Sequence, residues 1–242
     1  MPDTFVLVHG GWHTGAELEP AAEHIRRAGH QVHCPTLAGN RPGDDRSRIG
    51  LQDAVDSLVA YVVAHDLRHI RLVGHSYGGM VITAASELIA ERIQRLVYVN
   101  AFVPQPGESL NDLVPPAYVE LFGKLAAESG GSVMLPFTIW REAFMNDADL
   151  AMATAAYRKL NPHPYKTLAD KVKLKAPMAA SPLAKSYVNC QQDTALPRSL
   201  PWHPRLSERL GLFRLVECPG GHELWFTGPE TIADAVMRAG RD

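Results

Sequence analysis

Two periods of apolar positions alternate along the chain. Apolar runs occur at Phe5, Val6, Leu7 and Val8, at residues 70–73, interrupted only by Arg71, and at residues 96–99. Runs of that length without polar alternation predict strands buried on both faces, as in a parallel sheet. Between them apolar residues recur every three or four positions. One set is Leu18, Ala21, Ala22, Ile25 and Ala28, stopped by Gly29; a second is Leu51, Ala54, Val55, Leu58, Val59 and Val62; a third is Val81, Ala84, Ala85 and Leu88. That spacing predicts amphipathic helices. A short strand is expected at 31–34, and residues 36–50, rich in Gly, Pro, Asp and Arg, read as an exposed loop. Strands alternating with helices predict a parallel sheet covered on both faces.

The rhythm breaks at Pro104-Gln105-Pro106-Gly107. From there to about Pro182 the pattern is of short helices, interrupted at Pro115-Pro116, Gly130-Gly131 and Asn161-Pro162. This segment, about 103–182, is expected to be a mostly helical cap inserted after the strand that ends near Asn100. It should lie over the carboxyl ends of the strands and govern substrate choice rather than chemistry. The alternation resumes with a strand at 186–190, a helix around 204–210, a strand at 212–217 and a last helix from Pro229 to about Ala239. The expectation is one α/β domain over 1–242, with about six mostly parallel strands flanked by helices.

Composition narrows the function classes. The formal net charge is -2, with basic residues spread along the chain, so neither nucleic acid nor an anionic membrane is an expected partner. No basic segment leads into a long apolar one at the N-terminus, and no apolar run is long enough to span a bilayer. Cys34, Cys190 and Cys218 are odd in number and widely spaced, which fits free thiols, packing as their role and a cytoplasmic location.

The candidate chemistry starts at Gly74-His75-Ser76-Tyr77-Gly78. It follows a predicted strand and opens a predicted helix, the context of a G-x-S-x-G nucleophile elbow. A serine there sits on a strained turn, flanking glycines let strand and helix approach, and the N–H groups of the helix start point at the same place. A serine hydroxyl is a weak nucleophile. It needs an imidazole to take and return its proton, and the imidazole needs a carboxylate on its other nitrogen. Such partners are expected on loops after later strands, because ligands bind at the carboxyl ends of strands in open α/β sheets. Asp193 follows the Tyr187-Val188-Asn189-Cys190 run, and His222 follows Leu215-Val216-Glu217-Cys218. The order Ser76, Asp193, His222 is that of the α/β-hydrolase fold.

Rivals exist for each role. His9, His13 and His75 lie near the expected site: His9 is read as supporting its loop, His13 as lining the entrance and His75 as pointing away from the serine. Glu217 lies within a strand and Asp170 within the cap. The strand before the cap, where some hydrolases of this fold carry the acid, ends in Asn100-Ala101-Phe102 without a carboxylate. An oxyanion hole needs two backbone N–H groups. One is expected from Tyr77, the other from His9-Gly10-Gly11-Trp12, with Gly11 the favoured donor.

The chain resembles the small plant-type esterase and hydroxynitrile lyase branch of the α/β-hydrolase superfamily, which includes methyl-salicylate-esterase-like proteins and bacterial relatives. The matching residues are Phe5 to His13, Gly74-His75-Ser76-Tyr77-Gly78-Gly79-Met80, Tyr187-Val188-Asn189-Cys190 leading to Asp193, and Gly220-Gly221-His222. The resemblance spans nearly the whole chain and is weakest across 104–182. It implies a six-stranded parallel core, a mostly helical cap, a buried apolar pocket, Ser76, Asp193 and His222 as the triad, and Gly11 and Tyr77 as oxyanion donors. Two positions depart from it. Lyases of this branch that use a lysine carry it directly after the catalytic histidine, with a threonine after the first-loop histidine; here those positions are Glu223, either a solvated loop carboxylate or a functional one, and Gly10. Where the family's loop often reads His-Gly-Ala-Trp, this chain has His13-Thr14-Gly15-Ala16.

Trp12, Phe102, Trp140 and Phe144 are candidate substrate-binding residues, with Tyr118, Phe122, Phe137 and Met145 as further aromatic or apolar candidates. No phosphate-holding basic cluster, metal-ligand spacing or dinucleotide fingerprint occurs, so no cofactor and no metal are expected. The expected activity is carboxylesterase-type hydrolysis of a small to medium, rather apolar ester or lactone. A lyase or cyclisation step with His222 as base, and a ligand-binding receptor with little turnover, stand beside it. The sequence leaves the oligomeric state open, a homodimer included.

Overall fold

The computed structural model describes residues 2–242. Its strands, in chain order, are β1 (Thr4–Val8), β2 (Gln31–His33), β3 (Ile70–His75), β4 (Ile93–Val99), β5 (Ser132–Val133), β6 (His163–Pro164), β7 (Ala184–Cys190) and β8 (Arg214–Cys218). Six of them form one sheet in the order β2-β1-β3-β4-β7-β8, with every neighbouring pair parallel. The continuous apolar runs became the inner strands, whose side chains are buried on both faces. Val6, Val8, Leu72, Leu96 and Tyr98 point to one face, against α2 (Leu51–Ala64) and α3 (Gly78–Leu88). Phe5, Leu7, Val73, Val97 and Val99 point to the other, against α1 (Glu19–Arg27) and α9 (Pro229–Gly240).

The chain runs from β1 outward to β2, then crosses back to β3 on the other side of β1. Strand order therefore reverses between β1 and β3, and the loops leaving their carboxyl ends part to leave a crevice, the place where such sheets bind ligands. The first of these loops carries Gly11 and the second carries Ser76.

Between β4 and β7 the chain leaves the sheet. It forms α4 (Pro116–Glu128), the single turn α5 (Phe137–Ile139) that widens into a π-turn at Trp140–Phe144, α6 (Leu150–Tyr157), α7 (Tyr165–Ala169) and the two-stranded antiparallel β5–β6 ribbon. A final short helix, α8 (Leu224–Thr227), follows β8 and precedes α9. No helix among the described residues is long and apolar enough to cross a membrane.

Three sequence expectations shift. β4 and β7 begin earlier than their apolar runs, because Arg95 and Lys185 are buried in the strands with their charged ends bonded to carbonyls; Lys185 Nζ donates to Met178 O and Ser181 O at 3.1 and 2.8 Å. β8 begins at Arg214, not Leu212: the left-handed turn at Gly211 (φ 71°) leaves Leu212 91% exposed. The helix expected around 204–210 reduces to a 3₁₀ turn, Ser207–Leu210.

Candidate active site

β3 ends in His75, and Ser76 turns the chain into α3 with φ at 52°, a left-handed conformation that L side chains adopt only when their surroundings impose it. The surroundings leave no room for side chains. A Cβ at Gly74 would lie 2.8 Å from Gly78 O, and one at Gly78 would lie 2.8 Å from Val8 O. Ser76 N donates to Val99 O at 3.2 Å, and Ser76 O accepts from Phe102 N at 3.1 Å, so the turn is tied to the end of β4.

Asp193 and His222 meet beyond the ends of β7 and β8. His222 Nδ1 donates to Asp193 Oδ2 at 2.6 Å, and both side chains are almost fully buried. The two loops are joined by backbone bonds from Gln191 N to Cys218 O (2.9 Å) and from Gln192 N to Gly220 O (3.0 Å). Asp193 is held from two further sides: Oδ1 accepts from Ala195 N at 2.8 Å, and Oδ2 accepts from Asn100 Nδ2. Asn100 also accepts from Cys190 N at 2.7 Å, so one amide positions both the end of β7 and the carboxylate. Sequence reading saw in Asn100 only a missing acid. A polar side chain at the end of a central strand, facing the predicted acid, was the available signal.

Burial works against a charge on His222, but the charge of the Asp193 carboxylate and its hydrogen bond outweigh it, and the pKa stands above the ordinary histidine value. With its Nδ1–H engaged, neutral His222 presents Nε2 as the base. Its ring is stacked on Trp202 (centroids 5.3 Å apart, planes 19°) and edge-on to Phe144 (5.3 Å, 78°). His75 Nε2 donates to the His222 carbonyl at 3.1 Å, so His75 braces the base's backbone. Of the rival acids, Glu217 is exposed on β8, and Asp170 accepts from Leu51 N at 3.0 Å at the start of α2.

The loop after β1 is fixed by histidines. His9 Nδ1 donates to Gly10 O at 2.8 Å while its Nε2 accepts from Leu37 N at 3.1 Å, which sets the tautomer. Gly10 O and Gly11 N belong to one peptide plane, so this bond orients the Gly11 N–H. His13 Nδ1 donates to Gly11 O at 2.6 Å. Trp12 is left-handed (φ 67°) and held by the cap. Its indole N–H donates to Val133 O at 2.9 Å, and its carbonyl accepts from Asn161 N and Nδ2 at 2.8 and 3.0 Å.

Gly11, Ser76 and Tyr77 share an apolar cavity with Trp12, Phe102, Phe144, Tyr118, Phe122 and Trp202. Trp12, Phe102 and Phe144 line it as expected from their positions. Trp140 does not: it is fully buried behind Phe144, the two rings stacked at 5.7 Å, and serves the cap core. Phe137 instead packs edge-on to Tyr157. Trp202 was missed by sequence reading. It lies in Pro201-Trp202-His203-Pro204, on the loop after β7 that also carries Asp193, and that location was the usable signal. Of the two readings of Glu223, the solvated one does not hold, because the residue is 2% exposed. The pair it forms with His13 is treated below.

Known proteins share the sequence pattern and the fold. Carbendazim hydrolyzing esterase of Nocardioides sp. (strain SG-4G) is 44% identical over 115 residues, 47% of this chain and 48% of that protein, so the match spans about half of the relative's length. Methylesterase 18 of Arabidopsis thaliana is 30% identical over 179 residues, 66% of this chain and 68% of that protein. An extracellular alpha/beta-hydrolase from a Paenibacillus species, described as sharing structural and functional homology with tobacco salicylic acid binding protein 2, superposes over 100% of both chains with a TM-score of 0.95 at 36% identity. Residues 5–235 match the alpha/beta hydrolase family, and the chain belongs to that family.

Proposed function

We propose that this protein hydrolyses a carboxylic ester or lactone of a small to medium, apolar substrate through an acyl-enzyme on Ser76. The observation that carries the reading is the buried Asp193–His222 pair held beside an apolar cavity that has the elbow serine in its wall. Ser76 is the nucleophile. His222 Nε2 takes its proton and returns it to the leaving alcohol, while Asp193 fixes the tautomer and stabilises the cation. The N–H groups of Gly11 and Tyr77 receive the developing alkoxide. A water activated by His222 then releases the acid. The esterase and methylesterase names of the relatives support ester cleavage. The aromatic wall supports an apolar acyl or alkoxy group, and no charged side chain reaches the cavity to hold an ionic one.

A lyase on the same site would need positive charge where an anion departs. Glu223 occupies the position after His222 and offers none, which favours hydrolysis. A serine-reactive organophosphonate should add one label, at Ser76, and abolish turnover of p-nitrophenyl butyrate; Ser76→Ala should lose both. Cyanide release from mandelonitrile with no label at Ser76 would reject the hydrolase reading. Three free cysteines support action in the cytoplasm. Cell fractionation checks that part, and the Paenibacillus protein described as extracellular shows why it needs checking.

A further inference from the structure

We propose that Glu223 is a positioning residue for the oxyanion loop: its neutral carboxyl group donates a proton to His13 Nε2, so that His13 Nδ1–H is committed to the Gly11 carbonyl. The proposal rests on the reading of Gly11 as an oxyanion donor.

The geometry leaves few alternatives. Glu223 Oε2 and His13 Nε2 lie 3.4 Å apart, and the two residues are 2% and 3% exposed. Neither atom makes a hydrogen bond in the structure, their own 3.4 Å approach being longer than one, although buried polar groups nearly always have a partner. His13 Nδ1 is spent on Gly11 O at 2.6 Å, so the neutral ring presents only a lone pair at Nε2. A carboxylate there would set two acceptors against each other. One proton between them satisfies both atoms.

The proton resides on the carboxyl group. Burial pushes Glu223 up to about 8 and His13 down to about 4, so at neutral pH the acid holds it. The charges around Glu223 work in both directions. His222 on its own loop favours ionisation; Asp193 from the loop after β7, Asp147 from the cap and Glu17 from the turn before α1 oppose it. His13 has His222 and His75 as neighbouring rings, and a charge on His222 disfavours a second one on His13. A neutral pair avoids burying two charges whose mutual attraction seldom repays their dehydration.

The arrangement has a functional direction. Glu223 follows the candidate base, and His13 lies two residues after Gly11. The hydrogen bond therefore joins the base's loop to the loop that must hold an N–H within about 3 Å of the alkoxide. Loss of the proton would break this bond and put a negative charge beside a site where negative charge develops. Both effects lower kcat, and neither involves the apolar walls that bind substrate, so KM should move little.

Three measurements test the proposal. Glu223→Gln keeps a donor toward His13 and cannot ionise; its kcat at pH 7 should stay close to wild type, and the wild-type decline above about pH 8 should be absent. Glu223→Leu keeps the volume but not the donor; its kcat should fall roughly 10- to 100-fold at every pH, less than the ~10²–10³ lost with a whole oxyanion donor, with KM nearly unchanged. Infrared difference spectra of the wild type should show the carbonyl band of a buried protonated carboxylic acid that Glu223→Gln lacks, whether or not the Leu variant folds. Superimposable pH profiles for wild type and Glu223→Gln, or no such band, would overturn the assignment. Phosphonate labelling of Ser76 is read in parallel: an unlabelled wild type with the band present rejects the hydrolase reading and leaves the pair standing.

Discussion

Replacing Glu223 with Gln should stabilise the protein in a way that depends on pH. Glu223 titrates at 4.5 in the unfolded chain and at about 8 in the folded one. Below pH 4.5 both states hold the proton, and the group makes no pH-dependent difference. Between 4.5 and about 8 the unfolded chain gives up its proton and the folded chain keeps it, so stability falls as pH rises. Each unit costs about 1.4 kcal/mol, so the loss is about 3 kcal/mol by pH 7 and about 5 kcal/mol at its plateau above pH 8. Gln removes this slope. The buried histidines act on the acid side. His9 and His13 at about 4 and His163 at about 3 sit below their unfolded value of 6.5. The stability they contribute is present above 6.5 and is lost as pH falls toward those values. The His9 and His163 parts are common to both proteins and cancel in the difference; His13 touches the substituted residue, so the gap is read above about pH 5, away from its titration. Urea unfolding of wild type and Glu223→Gln at intervals from about pH 4 to about pH 9 measures the gap. It should open steadily from about pH 5 and level off near pH 8. A constant offset across that range would mean that Glu223 does not hold a proton in the folded protein, and the argument from burial would fail.

Asp193→Asn should lower kcat by about 10⁴-fold with the circular dichroism spectrum unchanged, as expected when the imidazole loses its tautomer control; a near-normal rate would move the acid role to another carboxylate. Asn100→Leu removes a donor to Asp193 and leaves Cys190 N buried without its 2.7 Å acceptor. It should cost about 2–4 kcal/mol in a denaturant titration and lower kcat as well, and wild-type values for both would refute the bridging role. Phe144→Ala removes a wall that is edge-on to both His222 and Trp12. It should change the ratio of rates for short and long acyl p-nitrophenyl esters while small-reagent labelling at Ser76 persists.

The central strands were legible because burial on both faces forces a continuous apolar run, and such a run has few other uses. β4 and β7 were truncated in the sequence reading because Arg95 and Lys185 break their runs, and only the fold shows carbonyls waiting for those charges. The placement of the candidate residues was legible where chain order and loop position suffice, as for the Ser76 turn and the meeting of Asp193 with His222. It was not legible where facing matters. Trp140 and Phe144 are four residues apart on one turn, and helical spacing cannot tell which ring meets the cavity and which stands behind it. Asn100 and Glu223 are polar residues whose burial depends on loops from distant parts of the chain closing over them. Hydropathy assigns such residues to solvent by default.

The division between a core that reacts and a cap that selects is too simple for this chain. Trp12 stands next to Gly11 in a conformation that costs about 1–3 kcal/mol on its own. What repays that cost comes from the cap: Asn161 on its carbonyl, Val133 on its indole and His163 on its amide at 3.4 Å. His163 in turn receives Asn40 Nδ2 at 3.3 Å on the same nitrogen and donates its other one to Thr167 Oγ1 at 2.8 Å, so its tautomer is set within the closed structure. The base has support from both sides. Asp193, Asn100, Gln191 and Gln192 bind it to the sheet ends, while from the cap Phe144 meets its ring, Asp147 Oδ2 accepts from Gly221 N at 2.8 Å and Asn146 Nδ2 donates to Gln192 O at 3.0 Å. A cap that moved away would free the loop that carries Gly11 and loosen the loops that carry Asp193 and His222 as well. The cap therefore bears on the arrangement of the candidate site from both sides, besides lining the cavity with Phe122 and Phe144.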